Sequence, residues 1–213
     1  MKQNLSLTAY IRHVIVFFIS AMILGLGTAC FVKADLGTDA MSTFALGIQH
    51  HTPIRVDIAI FIIMYAMMAG TFLIDKTRLG IVSFLYPLIS SSTMNIGLNI
   101  LPESDQIIAC YIMLFTGIAL MAIAIAVGSK TNVGYNPYDS LAFAILERYK
   151  LTYTKVRWMI DGSFLIIGIL LGGTFATGTI LVLILLGPCS DFFMKSMDKP
   201  LQNILKIKEK QTI

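Results

Sequence analysis

Long apolar runs separated by short polar turns organise this chain. Runs of spanning length lie at about 14–32, 56–74, 80–101, 107–128, 158–175 and 178–194. Each falls within the roughly 17–25 residues that a helix uses to cross the hydrocarbon of a bilayer. Two further apolar stretches, at about 39–50 and 136–148, are only 12 and 13 residues long. At 1.5 Å rise per residue they would reach roughly 20 Å, short of a hydrocarbon core of roughly 30 Å. The pattern predicts an all-α polytopic membrane protein, with either six spans and two short helices, or eight spans.

Basic residues separate the two topologies. With six spans and a cytoplasmic N-terminus, one side receives Lys2, Arg12, Lys76, Arg78, Lys130, Arg148, Lys150, Lys155 and Arg157, together with Lys195, Lys199, Lys206, Lys208 and Lys210. That is 14 of the 16 Lys and Arg residues, leaving Lys33 and Arg55 outside. Eight spans would place Lys33, Lys76, Arg78 and Lys130 outside, a weaker 12-to-4 division. The positive-inside bias favours six spans with both termini in the cytoplasm. The acidic turn around Glu103 and Asp105 then faces outward.

Composition agrees and narrows the field. Of 213 residues, 56% are hydrophobic and 13% charged, with mean hydropathy +0.79. A soluble domain carries roughly a quarter charged residues, so a water-soluble globule is excluded. The net charge of +4 follows from the cytoplasmic bias and the basic tail, with no need for nucleic acid. Cys30, Cys110 and Cys189 lie far apart inside apolar runs, without metal-ligand spacing, and read as small buried hydrophobes. Gly27-Thr28-Ala29-Cys30 loosely mimics a lipoprotein cleavage box. Gly27 stands where a large aliphatic residue is required, so 14–32 reads as an uncleaved first span.

The chain also repeats itself. Lys33-Ala34-Asp35-Leu36-Gly37-Thr38-Asp39 aligns with Lys130-Thr131-Asn132-Val133-Gly134-Tyr135-Asn136 at an offset of 97, both reading K-x-[DN]-aliphatic-G-x-[DN]. Each copy follows a span and precedes a short helix. A basic turn comes next (Arg55-Val56, Lys155-Val156), then a second span, a turn with glycine (Leu79-Gly80, Thr177-Gly178) and a third span. The organisation is a cytoplasmic segment 1–13, a three-span unit 14–101, a second unit 107–194 and a basic tail 195–213. A three-span unit has odd parity, so the second copy is inverted. Inverted repeats recur in secondary transporters, with polar backbone near the repeat interface.

These residues resemble a family. Gly25-Leu26-Gly27 followed by Ala34-Asp35-Leu36-Gly37, and the later Asn132-Val133-Gly134-Tyr135-Asn136-Pro137-Tyr138-Asp139, are similar to YczE/YyaS/YitT-type bacterial integral membrane proteins. There, an "ADLG" or "xxLG" segment and then "P-W/Y-D" open a short helix. The second copy keeps Pro137-Tyr138-Asp139, whereas the first has Ala40-Met41-Ser42. The resemblance covers nearly the whole chain and implies a multi-pass inner-membrane protein. It supplies no substrate.

Each motif is physically a loop that starts a helix. Gly37 and Gly134 permit positive φ or close backbone approach. Asn136 suits the N-cap, Pro137 the first helical position, and Asp139 the capping-box position; Asp39 can cap the first short helix. One reading stops there, at helix boundaries near the headgroups. The other turns each short helix into a re-entrant element, with its N-terminal N–H groups and Lys33 or Lys130 facing an aqueous cavity for an anionic or polar solute. An interfacial helix is equally compatible with the amphipathic pattern of 137–149. The substrate-binding set is Lys33, Asp35, Gly37, Asp39, Lys130, Asn132, Gly134, Asn136 and Asp139.

Asp161 lies about one turn into the fifth apolar run, where an ionisable group pairs, snorkels or lines a pathway; it is the candidate coupling or gating charge. Asp191 is four residues before Lys195, an ion-pair spacing, and Asp57 sits beside Arg55. Ser90-Ser91-Ser92 and Asn95 form a polar patch suited to interhelical hydrogen bonding or to lining a pathway. Gly168, Gly172 and Gly173 suit close helix packing.

No hydrolase, zinc or nucleotide motif is present, and the adjacent His50 and His51 do not converge as ligands. The expectation is a protein that is not an enzyme, without cofactor or metal. It reads as a permease or exporter of a small polar or anionic solute bound between two inverted halves. The rival is an accessory protein that stabilises or regulates a membrane partner. The bilayer is the expected environment, with anionic lipid headgroups at the C-terminal tail, and a homo-oligomer is compatible with the pattern.

Overall fold

A computed structural model describes residues 7–75, 80–131, 133–151 and 153–205. Lys76, Arg78, Leu79, Asn132 and the tail beyond Leu205 lie outside the described residues. The described chain is helical and contains no strand: α1 Leu7–Ala34, α2 Ala40–His51, α3 Val56–Ile74, a 3-10 turn Ile81–Phe84, α4 Tyr86–Ile100, α5 Ile107–Ser129, α6 Pro137–Tyr149, α7 Tyr153–Leu170, α8 Thr177–Ser196 and α9 Asp198–Leu205.

Four of these helices, α1, α3, α5 and α8, are long and apolar enough to cross a membrane. The run at 80–101 divides into the 3-10 turn and a 15-residue α4, which extends only about 22 Å. The run expected at 158–175 is shifted: α7 starts earlier, taking in Lys155 and Arg157, and ends at Leu170. Gly172 follows with φ 77°, a backbone that leaves the helix path and that L side chains rarely adopt. The apolar run continues past this point, so periodicity alone placed the boundary too late.

Outward-facing apolar stripes mark the membrane character. Ile15, Ile19, Met22 and Leu26 recur at helical spacing along α1 and are all exposed, as are Ile108, Ile112 and Phe115 on α5. Exposed apolar surface on this scale needs a cover, and hydrocarbon supplies one. Small residues fill the inside. A side chain on Gly27 of α1 would strike the Gly117 carbonyl of α5 at 3.1 Å, and one on Gly25 would strike the Ser90 carbonyl of α4 at 2.2 Å. Close backbone approach of this kind holds membrane helices together by van der Waals contact.

The packing partners repeat between the two sequence units. α1 lies against α5 at the centre. The α1–α4 contact of the first unit has its counterpart in α5–α8, and α2–α7 has its counterpart in α6–α3. The α2–α3 and α6–α7 contacts correspond likewise. The α3–α4 contact has no comparable counterpart between α7 and α8 among the described residues.

The C-terminal element turns back on the bundle. Leu201 and Leu205 of α9 pack with Val16 of α1 and Val127 of α5, and the Ile204 carbonyl accepts from Arg12 at 3.4 Å.

Candidate functional site

The first motif leaves α1 through a left-handed turn. Asp35 has φ 50° and Gly37 φ 99°; Asp tolerates the first, and glycine suits the second. The chain then reaches Asp39, the N-cap of α2. One Asp39 oxygen, Oδ2, accepts from the Ser42 backbone N–H at 3.4 Å. Behind it, the buried Thr38 and Thr43 hydroxyls pair at 3.1 Å, and Thr43 Oγ1 also donates to the Thr174 carbonyl at 3.4 Å. The second motif makes a fuller cap. Asn136 Oδ1 accepts from the Asp139 N–H at 2.8 Å while its Nδ2 donates back to Asp139 Oδ2 at 2.7 Å, with Pro137 at the first helical position. Asp39, Asn136 and Asp139 thus sit at the starts of the two short helices, and Asn132 lies outside the described residues.

Each motif docks onto the start of the last helix of the other unit, α8 for the first motif and the 3-10 turn leading into α4 for the second. The Leu36 carbonyl accepts from the Gly178 N–H at 2.6 Å. A side chain on Gly37 would meet Thr179 Oγ1 at 2.5 Å, and one on Gly178 would meet the Leu36 carbonyl at the same distance. Across the molecule, Ser83 Oγ donates to the Tyr135 carbonyl at 2.9 Å. There a side chain on Gly134 would meet Ser83 Oγ at 2.4 Å, and one on Gly80 would meet the Val133 carbonyl at 2.4 Å. The glycine turns and the motif glycines are therefore partners in two matching clasps, one per motif.

The lysines are not part of this arrangement. Lys33 reaches Glu103 at 2.5 Å, and Lys130 pairs with Asp198 of α9. Hydrogen bonding to Lys33 holds the Glu103 carboxyl below the usual glutamate range, and Lys130 does the same for Asp198. The expected constellation with both lysines at the short-helix N-termini is thus divided. The caps stay at the helix starts, while the lysines clasp acids on the α4–α5 loop and on α9.

Asp161 is engaged on two sides. It accepts from the Tyr138 hydroxyl at 2.8 Å and pairs with Arg157 at 3.5 Å, and the Arg157 guanidinium lies 5.0 Å from the Tyr138 ring centre. It also lies within electrostatic range of Asp39. A polar junction results where α2, the start of α8 and α7 meet. Within it Asp39 Oδ1, Ser42 Oγ and Thr179 Oγ1 are buried without a hydrogen-bond partner among the described residues, as is Ser140 Oγ beside the second cap.

Sequence reading missed Thr38, Ser42, Thr43, Ser83 and Thr179. A signal existed for the last two: Ser83 stands three residues after Gly80, and Thr179 directly follows Gly178, each beside the glycine turn that meets a motif. Nothing in the spacing pointed to Glu103 and Asp198, 70 and 68 residues from their lysines.

Residues 11–195 match the model of a family described as DUF6198, of unknown function. A relative in Haemophilus influenzae, described as an uncharacterized protein, is 27% identical over 187 residues, covering 88% of this chain and 85% of its own length. No solved structure matches the chain. With a family match running from the first helix almost to the end of α8, this helical, membrane-type chain belongs to the DUF6198 family, whose function is unknown.

Proposed function

We propose that the chain is a secondary permease for a small polar or anionic solute. In this reading six spans form a 3+3 inverted repeat in the bacterial cytoplasmic membrane, with both termini and the basic tail on the cytoplasmic side. The kinship with YczE/YyaS/YitT-type proteins belongs to the same reading. The observation that carries it is the polar junction between the units. Asp39 Oδ1, Ser42 Oγ and Thr179 Oγ1 are buried there without a hydrogen-bond partner among the described residues, and a group of this kind costs roughly 1–3 kcal/mol when nothing satisfies it. Groups of this kind call for an occupant, and a polar solute or a coupling ion at the junction supplies one. The matched clasps support the inverted repeat, because swapping the two units exchanges one clasp for the other. Asp161, held by Arg157 and Tyr138 beside this junction, is the gating charge in this scheme, released when those partners part.

The test is solute entry into liposomes containing the purified chain, followed by light scattering after an osmotic step over a panel of small anions and polar solutes. The permease reading expects at least one solute to re-swell the vesicles. Asp39→Asn, which keeps the cap, then slows entry by about tenfold, the scale of one hydrogen bond to a charged group, at unchanged incorporation. Fluxes equal to those of empty liposomes for every solute would contradict it.

One observation favours a second reading. Both motifs pack backbone to backbone against their partner helices, with the lysines already neutralised. A tightly closed pair of units suits an accessory protein that stabilises a membrane partner. In that case Asp39→Asn leaves fluxes unchanged and alters the abundance of the partner.

A further inference from the structure

Between α3 and α4 lies a cavity of about 490 Å³, inside the roughly 300–1,000 Å³ of small-ligand sites. It is separate from the polar junction, and the inference drawn from it does not rest on transport. Arg55 meets Asn95, and Tyr65 donates to the Phe84 carbonyl at 2.6 Å, so the two helices run antiparallel with the cavity between them. Its floor is polar. Asp57 and Ser91 are each only 7% exposed, with the half-buried Asn95 beside them and Ser92 exposed at the edge. Its rim is apolar: Ile58, Leu88 and Ile96 are each about half exposed and continue the outer faces that hydrocarbon covers.

Two features show that the floor is built for an occupant. Ser91 Oγ is buried yet has no hydrogen-bond partner among the described residues. Arg55 donates to both Asp57 oxygens, at 3.1 and 3.4 Å, and to Asn95 Oδ1, which leaves an exposed guanidinium at one end of the groove. Arg55 already serves the Asp57 carboxylate and the Asn95 amide oxygen, and acyl chains alone could not satisfy the Ser91 hydroxyl and the guanidinium that remain at the edge of the bilayer. The floor presents positive and negative groups side by side, and so complements a zwitterion; the rim suits an alkyl chain.

We propose that this groove binds a zwitterionic phospholipid with a primary ammonium headgroup. Its phosphate lies against Arg55 and the Asn95 amide, its ammonium against Asp57 and the Ser91 hydroxyl, and one acyl chain leaves over Ile58 and Ile96. Charge-assisted hydrogen bonds set the preference. A primary ammonium has three N–H donors for these oxygens, a quaternary choline group has none, and a glycerol headgroup would set only neutral hydroxyls against Asp57, with no cation.

Native mass spectrometry of the full chain tests this, after incubation in detergent with equal amounts of phosphatidylethanolamine, phosphatidylcholine and phosphatidylglycerol of matched chains. The wild type is expected to retain one phosphatidylethanolamine about tenfold over either competitor, the scale of one hydrogen bond to a charged group. Ser91→Phe fills the cavity and loses that lipid. The isosteric Asp57→Asn, which keeps the shape, retains phosphatidylethanolamine and phosphatidylcholine equally; it decides the matter should Ser91→Phe fail to fold. Equal retention of all three lipids by the wild type would overturn the proposal. So would a preference for phosphatidylglycerol, or an unchanged preference in Asp57→Asn.

Discussion

Gly37 has φ 99° and almost no room: an added Cβ would lie 2.5 Å from Thr179 Oγ1 and 2.9 Å from the Ala176 nitrogen. Strain and overlap therefore act together in Gly37→Ala, which should destabilise the protein by about 2–4 kcal/mol. Gly187, inside α8, has nothing within 4 Å of an added Cβ. There the same change removes only a helix-breaking residue and should be neutral or stabilising, by up to about 1 kcal/mol. Thermal unfolding of the two variants in detergent checks the contrast, and equal effects would contradict the close docking of Leu36 and Gly37 on α8. Asn136→Ala removes both bonds of the second cap and should cost about 1 kcal/mol, read in the same way. The roles of Gly37 and Asn136 were legible from the local pattern, because a glycine two residues before an Asx helix start encodes its own geometry. The partners of Lys33 and Lys130 were not, since an ion pair across 70 residues leaves no local trace.

At the scale of elements, the two short helices are held by different means. α2 presses backbone to backbone on α7, where a side chain on Gly168 would strike Phe44 backbone atoms at 2.7–2.8 Å. α6 instead engages α7 through Tyr138, Asp161 and Arg157. Gly168→Leu should therefore lower the unfolding midpoint by the equivalent of about 1–3 kcal/mol, and an unchanged midpoint would show that α2 and α7 are not packed so closely. Glu103 anchors the end of α1 through Lys33, and its dependence on pH has a definite sign. Its folded carboxyl titrates below the usual value because of Lys33. The contribution is thus complete above the unfolded value of about 4.3 and fades as pH falls through the lowered folded value. The difference in unfolding midpoint between the wild type and Lys33→Met should be full at neutral pH and shrink progressively in acid, once pH falls below the unfolded glutamate value. A difference that persists in acid would mean Lys33 acts by packing alone. Helix types and short-helix bounds were readable from apolar run length. The extents of α4 and α7 were not, because a 3-10 turn and a glycine break lie inside continuous apolar sequence.

For the molecule as a whole, the repeated sequence pattern has a physical counterpart in the two clasps: Leu36 and Gly37 on Gly178 and Thr179, and Val133, Gly134 and Tyr135 on Gly80 and Ser83. The K-x-[DN]-aliphatic-G-x-[DN] match marked where to look, but not that each copy would seat on the other unit. That pairing depends on α1 and α5 crossing at the centre, a contact set by Gly27 and Gly117 rather than by the motif. The central claim is that the two units are inverted relative to each other in the membrane. It is tested most directly by thiol accessibility in a chain lacking Cys30, Cys110 and Cys189. Single cysteines replace the exposed Asp35 and Tyr135, and an impermeant reagent is applied from each face of sealed vesicles. Inverted units predict labelling of Asp35→Cys from the outer face and of Tyr135→Cys from the cytoplasmic face; labelling of both from the same face would contradict the inversion and the permease built on it.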